Sequence, residues 1–227
     1  MKIHFSSNQK HNFKNLLAYI GMPVGFCVLG YLLIYIVFTP IITPVLSVSE
    51  MFISDADFKN GENLTSIFDK NSASSENTGD TVDMSQVQIP SYGTHYANLS
   101  IDSVSIDAPL YFGDSSAALS QGVAQYNGSF LPGFGRPILI SGHNNSYFNS
   151  LQYISVGDEI TITTNYGVYK YKVTETKIAA YNDKTAYDLA AQEENLILYT
   201  CYPFDTLGLT PQRFFVYADK VSGPDVV

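Results

Sequence analysis

Three residues combine reactive chemical types with matching settings along the chain. Cys201 follows the apolar run NLILYT, His143 follows the run PILISG, and Arg213 opens the run RFFVYADKV. Their β-branched, aromatic and alternating residues predict strands, so each functional group stands at a strand end. A side chain placed there can leave the core while its backbone stays held by the sheet. A thiolate, an imidazole and a guanidinium gathered at such ends suit acyl transfer. The Cys201 thiolate would attack an amide carbonyl to give a thioester, dividing one hard step into two. His143 would protonate the departing amine, then take a proton from the incoming nucleophile. Arg213 would donate to the carbonyl oxygen as negative charge grows, or hold the substrate backbone beside it. Of twelve basic residues only Arg136 and Arg213 are arginines. A chain that draws its general charge from lysine can keep arginine for its planar donor fork.

Singly, each residue has a plainer reading: a small buried thiol, a loop histidine, a solvated edge arginine. His95 reads as a surface-loop residue and Arg136 as a strand-entry charge. His4 and His11 precede a long apolar block and fall on the opposite side of it from Cys201. Beyond that block, one cysteine and two histidines without paired spacing do not make a zinc site. No metal or other cofactor is expected. The net charge of −9, with no basic cluster outside the N-terminus, disfavours nucleic-acid binding.

The elements that must position these residues begin after the apolar block. Leu16 to Phe38 carry no charge, and an uncharged run longer than about 18 residues can span a bilayer as a helix. Lys2, Lys10 and Lys14 precede it and no basic residue follows until Lys59, so the positive-inside rule puts residues 1–15 in the cytoplasm. The run exceeds a signal-peptide core of about 7–15 residues, which favours a retained single-pass anchor at 16–38. Cys27 lies inside it and cannot pair with Cys201, leaving an exterior thiol that is either inert or chemically useful. Residues 39–88, rich in Ser, Asn, Thr and acidic side chains, read as a flexible tether. NLTSIFD within it could form a short amphipathic helix.

Residues 89–227 change texture to short β-type runs broken by Gly, Asn, Asp and Pro. ANLSIDSV, APLYFG, RPILISG, EITITTN, GVYKYKVTETKI, NLILYT and RFFVYADKV all predict strands, and Asn165-Tyr166-Gly167 reads as a hairpin turn. SSAALSQGVA, YFNSLQYI and TAYDLAAQEE are possible helical turns. The class expected is all-β, as a barrel or sandwich.

At its reactive residues the chain resembles the sortase family. SGHNNSYFNSL is similar to the family's histidine segment, LILYTCYPF to its TLxTC segment, and PQRFFVYA to its arginine segment. The resemblance runs from about Tyr96 to Asp219, and the Cys-Tyr-Pro-Phe continuation is similar to class D members. It implies an eight-stranded β-barrel with short helices, and a transpeptidase of Gram-positive bacteria. Such enzymes cut an LPxTG-like C-terminal sorting signal between Thr and Gly and pass the threonine to a peptidoglycan-precursor amine or a pilin lysine. It implies His143, Cys201 and Arg213 as the catalytic set, and Thr200 as support for the transition state. Asn144-Asn145 depart from the Arg-Asp that follows the histidine in many class D members. Residues 39–95 lack the Asp-Pro-aromatic lid motif of pilin-polymerising members, which favours cell-wall attachment over pilus building. The rival from another class is a non-catalytic, membrane-tethered β-domain binding a surface ligand. A papain-like enzyme would place its cysteine before its histidine, and an L,D-transpeptidase would carry a compact His-Gly-Cys segment.

Overall fold

The β-branched and aromatic runs form strands in the computed structural model, which describes residues 19, 21–35, 64–69, 80–204, 206 and 210–227. In chain order come α1 (residues 21–35), β1 (Thr65–Ser66), β2 (Thr81–Val82), β3 (Thr94–Ile101), β4 (Ile106–Phe112), α2 (Ser116–Gln121), β5 (Val123–Gln125), β6 (Ile138–Ser141), β7 (Glu159–Thr164), β8 (Val168–Ala180), β9 (Asn195–Tyr202), β10 (Gln212–Ser222) and β11 (Asp225–Val226). Two compact units divide the chain, residues 1–49 and 50–227. In the first, α1 is helical and apolar. Among the described residues no helix is long and apolar enough to cross a membrane. Residues 16–18, 20 and 36–38 of the expected span lie outside the described residues.

The second unit is a closed barrel. Its strands run in the order β3-β4-β5-β6-β9-β10-β8-β7, and β7 pairs back onto β3 to complete eight. The expected hairpin is present: β7 and β8 pair antiparallel across residues 165–167. Inward positions fill the barrel with Leu99, Leu110, Ile138, Ile140, Ile162, Tyr169, Leu198 and Val216. Outside the β6–β9–β10 sector, a second cluster of Leu139, Ile197 and Phe215 packs against Ala186 from the segment after β8. β6 and β9 are therefore apolar on both faces, as expected of a parallel pair covered on both sides.

Four readings need correction, the last of them His95. TAYDLAAQEE forms turns rather than a helix. Asp183 Oδ1 accepts from Thr185 N and Asp188 Oδ1 from Ala190 N, both at 2.9 Å, and such local bonds compete with helix formation. Val123 and Ala124, read as the tail of a helical turn, belong to strand β5, which pairs with β4 and β6. NLTSIFD contains β1, which adds to β3 in parallel, so its backbone is used for sheet pairing rather than a helix.

This strap of residues 64–69 is fastened through His95, which lies on β3 rather than in a loop. The imidazole sits against Phe68 and Tyr111, with ring centroids 5.2 and 5.4 Å away. Its Nδ1 is 3.1 Å from Ser66 Oγ, and its Nε2 is buried without a partner among the described residues. Burial holds its pKa below the ordinary 6.5, offset in part by a backbone hydrogen bond at Ala97. A depressed folded-state value means that the neutral ring is the one that fits. The stability contribution is present above the unfolded value and is lost as pH falls through the folded one. Acidification below the ordinary imidazole value of 6.5 is expected to loosen the strap, as the ring is driven toward its charged form. Faster amide exchange at Thr65 and Ile67, which donate to Gly93 and His95 carbonyls at 3.3 and 3.0 Å, would show it. Exchange independent of pH beyond the intrinsic chemical rate would contradict it.

Candidate active site

The barrel brings the three reactive residues onto neighbouring strands, with Cys201 in the middle. Arg213 on β10 is the direct cross-strand partner of Cys201 on β9. Such partners have Cα atoms about 4.5–5.5 Å apart. On the other side of β9, β6 runs parallel with Ser141 beside Tyr199. Gly142 N continues the ladder onto Tyr199 O at 3.3 Å, so the next residue, His143, leaves β6 alongside Cys201.

Strand alternation decides which side chains face the site. On β9, Leu196, Leu198 and Thr200 point into the barrel, while Ile197, Tyr199 and Cys201 face outward. Cys201 is half-buried and has no disulfide partner. Tyr199 stacks on Phe215 at 5.7 Å, giving the outer face an aromatic floor beside the thiol.

The histidine turn is held from below. The His143 carbonyl accepts from Phe148 N at 3.1 Å and Ser146 N at 3.4 Å. Phe148 is fully buried, and a Cβ at position 142 would lie 2.6 Å from its ring. Only glycine lets β6 exit this close to the aromatic plug. Beside it, the Thr200 hydroxyl donates to the Gly142 carbonyl at 2.7 Å, a bond buried from solvent. Thr200 thus reaches the segment carrying His143 through the barrel interior, on the face of β9 opposite Cys201. Thr200→Val keeps the shape and leaves that carbonyl unmatched, which costs about 1–3 kcal/mol. Because that carbonyl lies one residue before His143, turnover should also fall, on the order of tenfold through misplacement of the imidazole, with Thr200→Ser close to wild type. Denaturant unfolding and a cleavage assay on the same samples check both; an unchanged rate in the valine variant would contradict the brace.

Arg213 is anchored by its own loop. Nη1 donates to the carbonyls of Thr210 and Gln212, both at 2.8 Å, and Cζ lies 6.0 Å from the Tyr181 ring centroid. The guanidinium borders a cavity of about 270 Å³ whose walls include Tyr126, Tyr181, Tyr187, Tyr199 and Phe215. Asp114 supplies a carboxylate to the same wall. Burial pushes the Tyr199 phenol above its ordinary pKa, with a smaller opposing effect from Ser141, so it is a neutral wall. A larger cavity of about 390 Å³ lies on the β8 side of Tyr187 and does not include Arg213.

Sequence reasoning found the thiol, the imidazole and the guanidinium, and missed most of what surrounds them. Tyr187 was hidden in a segment expected to be helical, and Tyr181 stands just before it, where an aromatic beside Asn, Asp and Lys was the available signal. Asp114 gave no signal. Asn144, 7% exposed, was noted only as a departure from a charged pattern, yet its Nδ2 donates to Pro203 O at 3.1 Å and to Phe204 O at 3.5 Å.

A family model for the sortase domain matches residues 99–221. Sortase D of Bacillus subtilis (strain 168) is 31% identical over 133 residues, covering 59% of this chain and 67% of the relative. Among solved structures, a Clostridium perfringens sortase D5 transpeptidase superposes with a TM-score of 0.53 at 21% identity, covering 59% of this chain and 83% of that one. Sortase C1 from Streptococcus agalactiae does so at 0.54 and 26%, covering 60% and 73%.

Proposed function

Because this chain belongs to the sortase family of transpeptidases, we propose that it cuts an LPxTG-like sorting signal through a thioester on Cys201 and passes the protein to a cell-wall amine. The observation that carries the reading is the placement of Cys201 between the β6 exit that bears His143 and its cross-strand partner Arg213. The aromatic cavity beside Arg213 suits the apolar residues of such a signal.

In this mechanism Sγ of Cys201 attacks the threonine carbonyl carbon while Arg213 donates to the oxygen as it gains charge. The Thr–Gly bond breaks as His143 delivers a proton to the departing glycine amine. An acceptor amine then attacks the thioester and gives its proton to His143. The carbon–sulfur bond breaks, the new amide forms and the thiolate returns. Thr200 serves this sequence by holding Gly142, and hence His143, in place. Transfer to peptidoglycan rather than to a pilin lysine fits the absence of an Asp-Pro-aromatic sequence from residues 39–95. A single-pass anchor at residues 16–38, with the catalytic unit outside the cell, would present the site to secreted substrates at the membrane surface.

The test uses the full chain in detergent or vesicles with an LPxTG-type peptide, followed by mass spectrometry. Without an amine the expected product ends at threonine as an acid. With oligoglycine, a diaminopimelate-containing peptide or a lysine peptide, the preferred acceptor is expected to appear joined to that threonine. Cleavage insensitive to every amine would make the protein a hydrolase; a lysine-peptide preference would point to pilus building instead.

A further inference from the structure

The strands that carry His143 and Cys201 are tied together on both sides of the reactive pair. Before it, the Thr200 hydroxyl holds the Gly142 carbonyl. Beyond it, the Asn144 amide holds the Pro203 carbonyl at 3.1 Å and approaches that of Phe204 at 3.5 Å. His143 is therefore flanked by two residues bonded to the Cys201 strand, and Cys201 lies between the two points of attachment. The outer attachment is firm at each end. Asn144 O accepts from Asn149 Nδ2 at 2.9 Å. Phe204 packs edge-on against Tyr202 and Phe214, with centroids 6.1 and 5.5 Å away.

We propose that Asn144 is a positioning residue which sets the approach of His143 to Cys201 by donating its side-chain amide to the chain just beyond the thiol. This rests on the transpeptidase reading above. The chemistry of the contact requires a donor, because both groups facing Nδ2 are carbonyl oxygens. A carboxylate of the same shape could only accept, and would be repelled. Once protonated, that carboxyl regains one donor. Reacting groups misplaced by about 1 Å lose on the order of a hundredfold in rate, so a contact one residue from the imidazole has leverage over turnover.

The experiment compares the full-length wild type, Asn144→Ala and Asn144→Asp over about pH 5 to 8.5, taking each variant's rate as a ratio to wild type. Asn144→Ala, which adds no charge beside His143, Cys201 and the neighbouring Tyr147 phenol, controls for the direct electrostatic effect of the new carboxylate. Asn144→Ala is expected to lose about 10–100-fold, in kcat more than in KM, at every pH. Asn144→Asp should lose as much at high pH and recover toward wild type as its carboxyl protonates. That recovery is a readout that a purely structural role would not produce, and thermal unfolding of the same samples separates misfolding from mispositioning. Ratios within about twofold of unity for both variants would overturn the proposal, as would an aspartate variant whose loss does not depend on pH. If wild type cleaves no signal, the transpeptidase reading fails. Asn144 is then judged on Cys201 alkylation, read by peptide mass spectrometry to exclude Cys27. A rate altered in Asn144→Ala, which adds no charge beside the thiol, supports the positioning role, and one identical to wild type overturns it.

Discussion

Replacing Cys201 with alanine should reduce signal cleavage by on the order of 10⁵–10⁶-fold, the scale seen when a covalent nucleophile is removed from a concerted catalytic set. The expected loss is this large because residues 50–227 hold no second thiol; Cys27 belongs to the N-terminal unit. Serine should restore little. Its hydroxyl stays protonated, whereas a thiol yields a useful fraction of thiolate near neutral pH. Cys201 is only half-buried and lies on the outer face of β9, so unfolding free energy should stay within about 1 kcal/mol of wild type. A folded alanine variant that still cleaves would return Cys201 to the role of a small structural thiol.

Arg213→Ala should lower kcat/KM by about 10²–10³-fold, the range for removing a donor aimed at a developing oxyanion. Lysine is expected to recover little of it. Two bonds from Nη1 to backbone carbonyls and a position over Tyr181 set the plane of the guanidinium, and a single ammonium cannot reproduce that planar donor fork. Single-turnover acylation separates the two roles available to Arg213. Slow acylation with unchanged signal affinity assigns it to the oxyanion, while weakened affinity assigns it to the substrate backbone. A rate within about threefold of wild type would remove it from the mechanism.

The reactive residues were legible because each follows or opens an uninterrupted apolar run, and such runs are strands whose ends are exposed. Their adjacency was not. β6 and β9 lie side by side as parallel strands with two other strands between them in sequence, and no local pattern encodes that pairing. The segment after β8 was misread because alanine-rich TAYDLAAQEE has helical composition, while Asp183 and Asp188 hold it in turns from their own side chains. That error hid Tyr187, and with it one wall of the cavity. Glu194 shows the same limit. In the sequence it is one of two adjacent acids before a strand. In the barrel its buried side chain accepts from Gly133 N, Gly135 N and the Tyr171 hydroxyl and pairs with Lys220. A buried carboxylate is tolerable only with such partners, and they come from distant parts of the chain.

The most direct measurement of the central claim is the mass of the enzyme itself during turnover. Full-length protein is mixed with an LPxTG-type peptide without added amine, quenched in acid within the first turnover and digested. The peptide containing Cys201 is expected to carry the signal up to its threonine as a thioester, to lose it on addition of an acceptor amine, and to lack it in the Cys201→Ala variant. Cleavage with no adduct on Cys201, undiminished in that variant, would contradict the account.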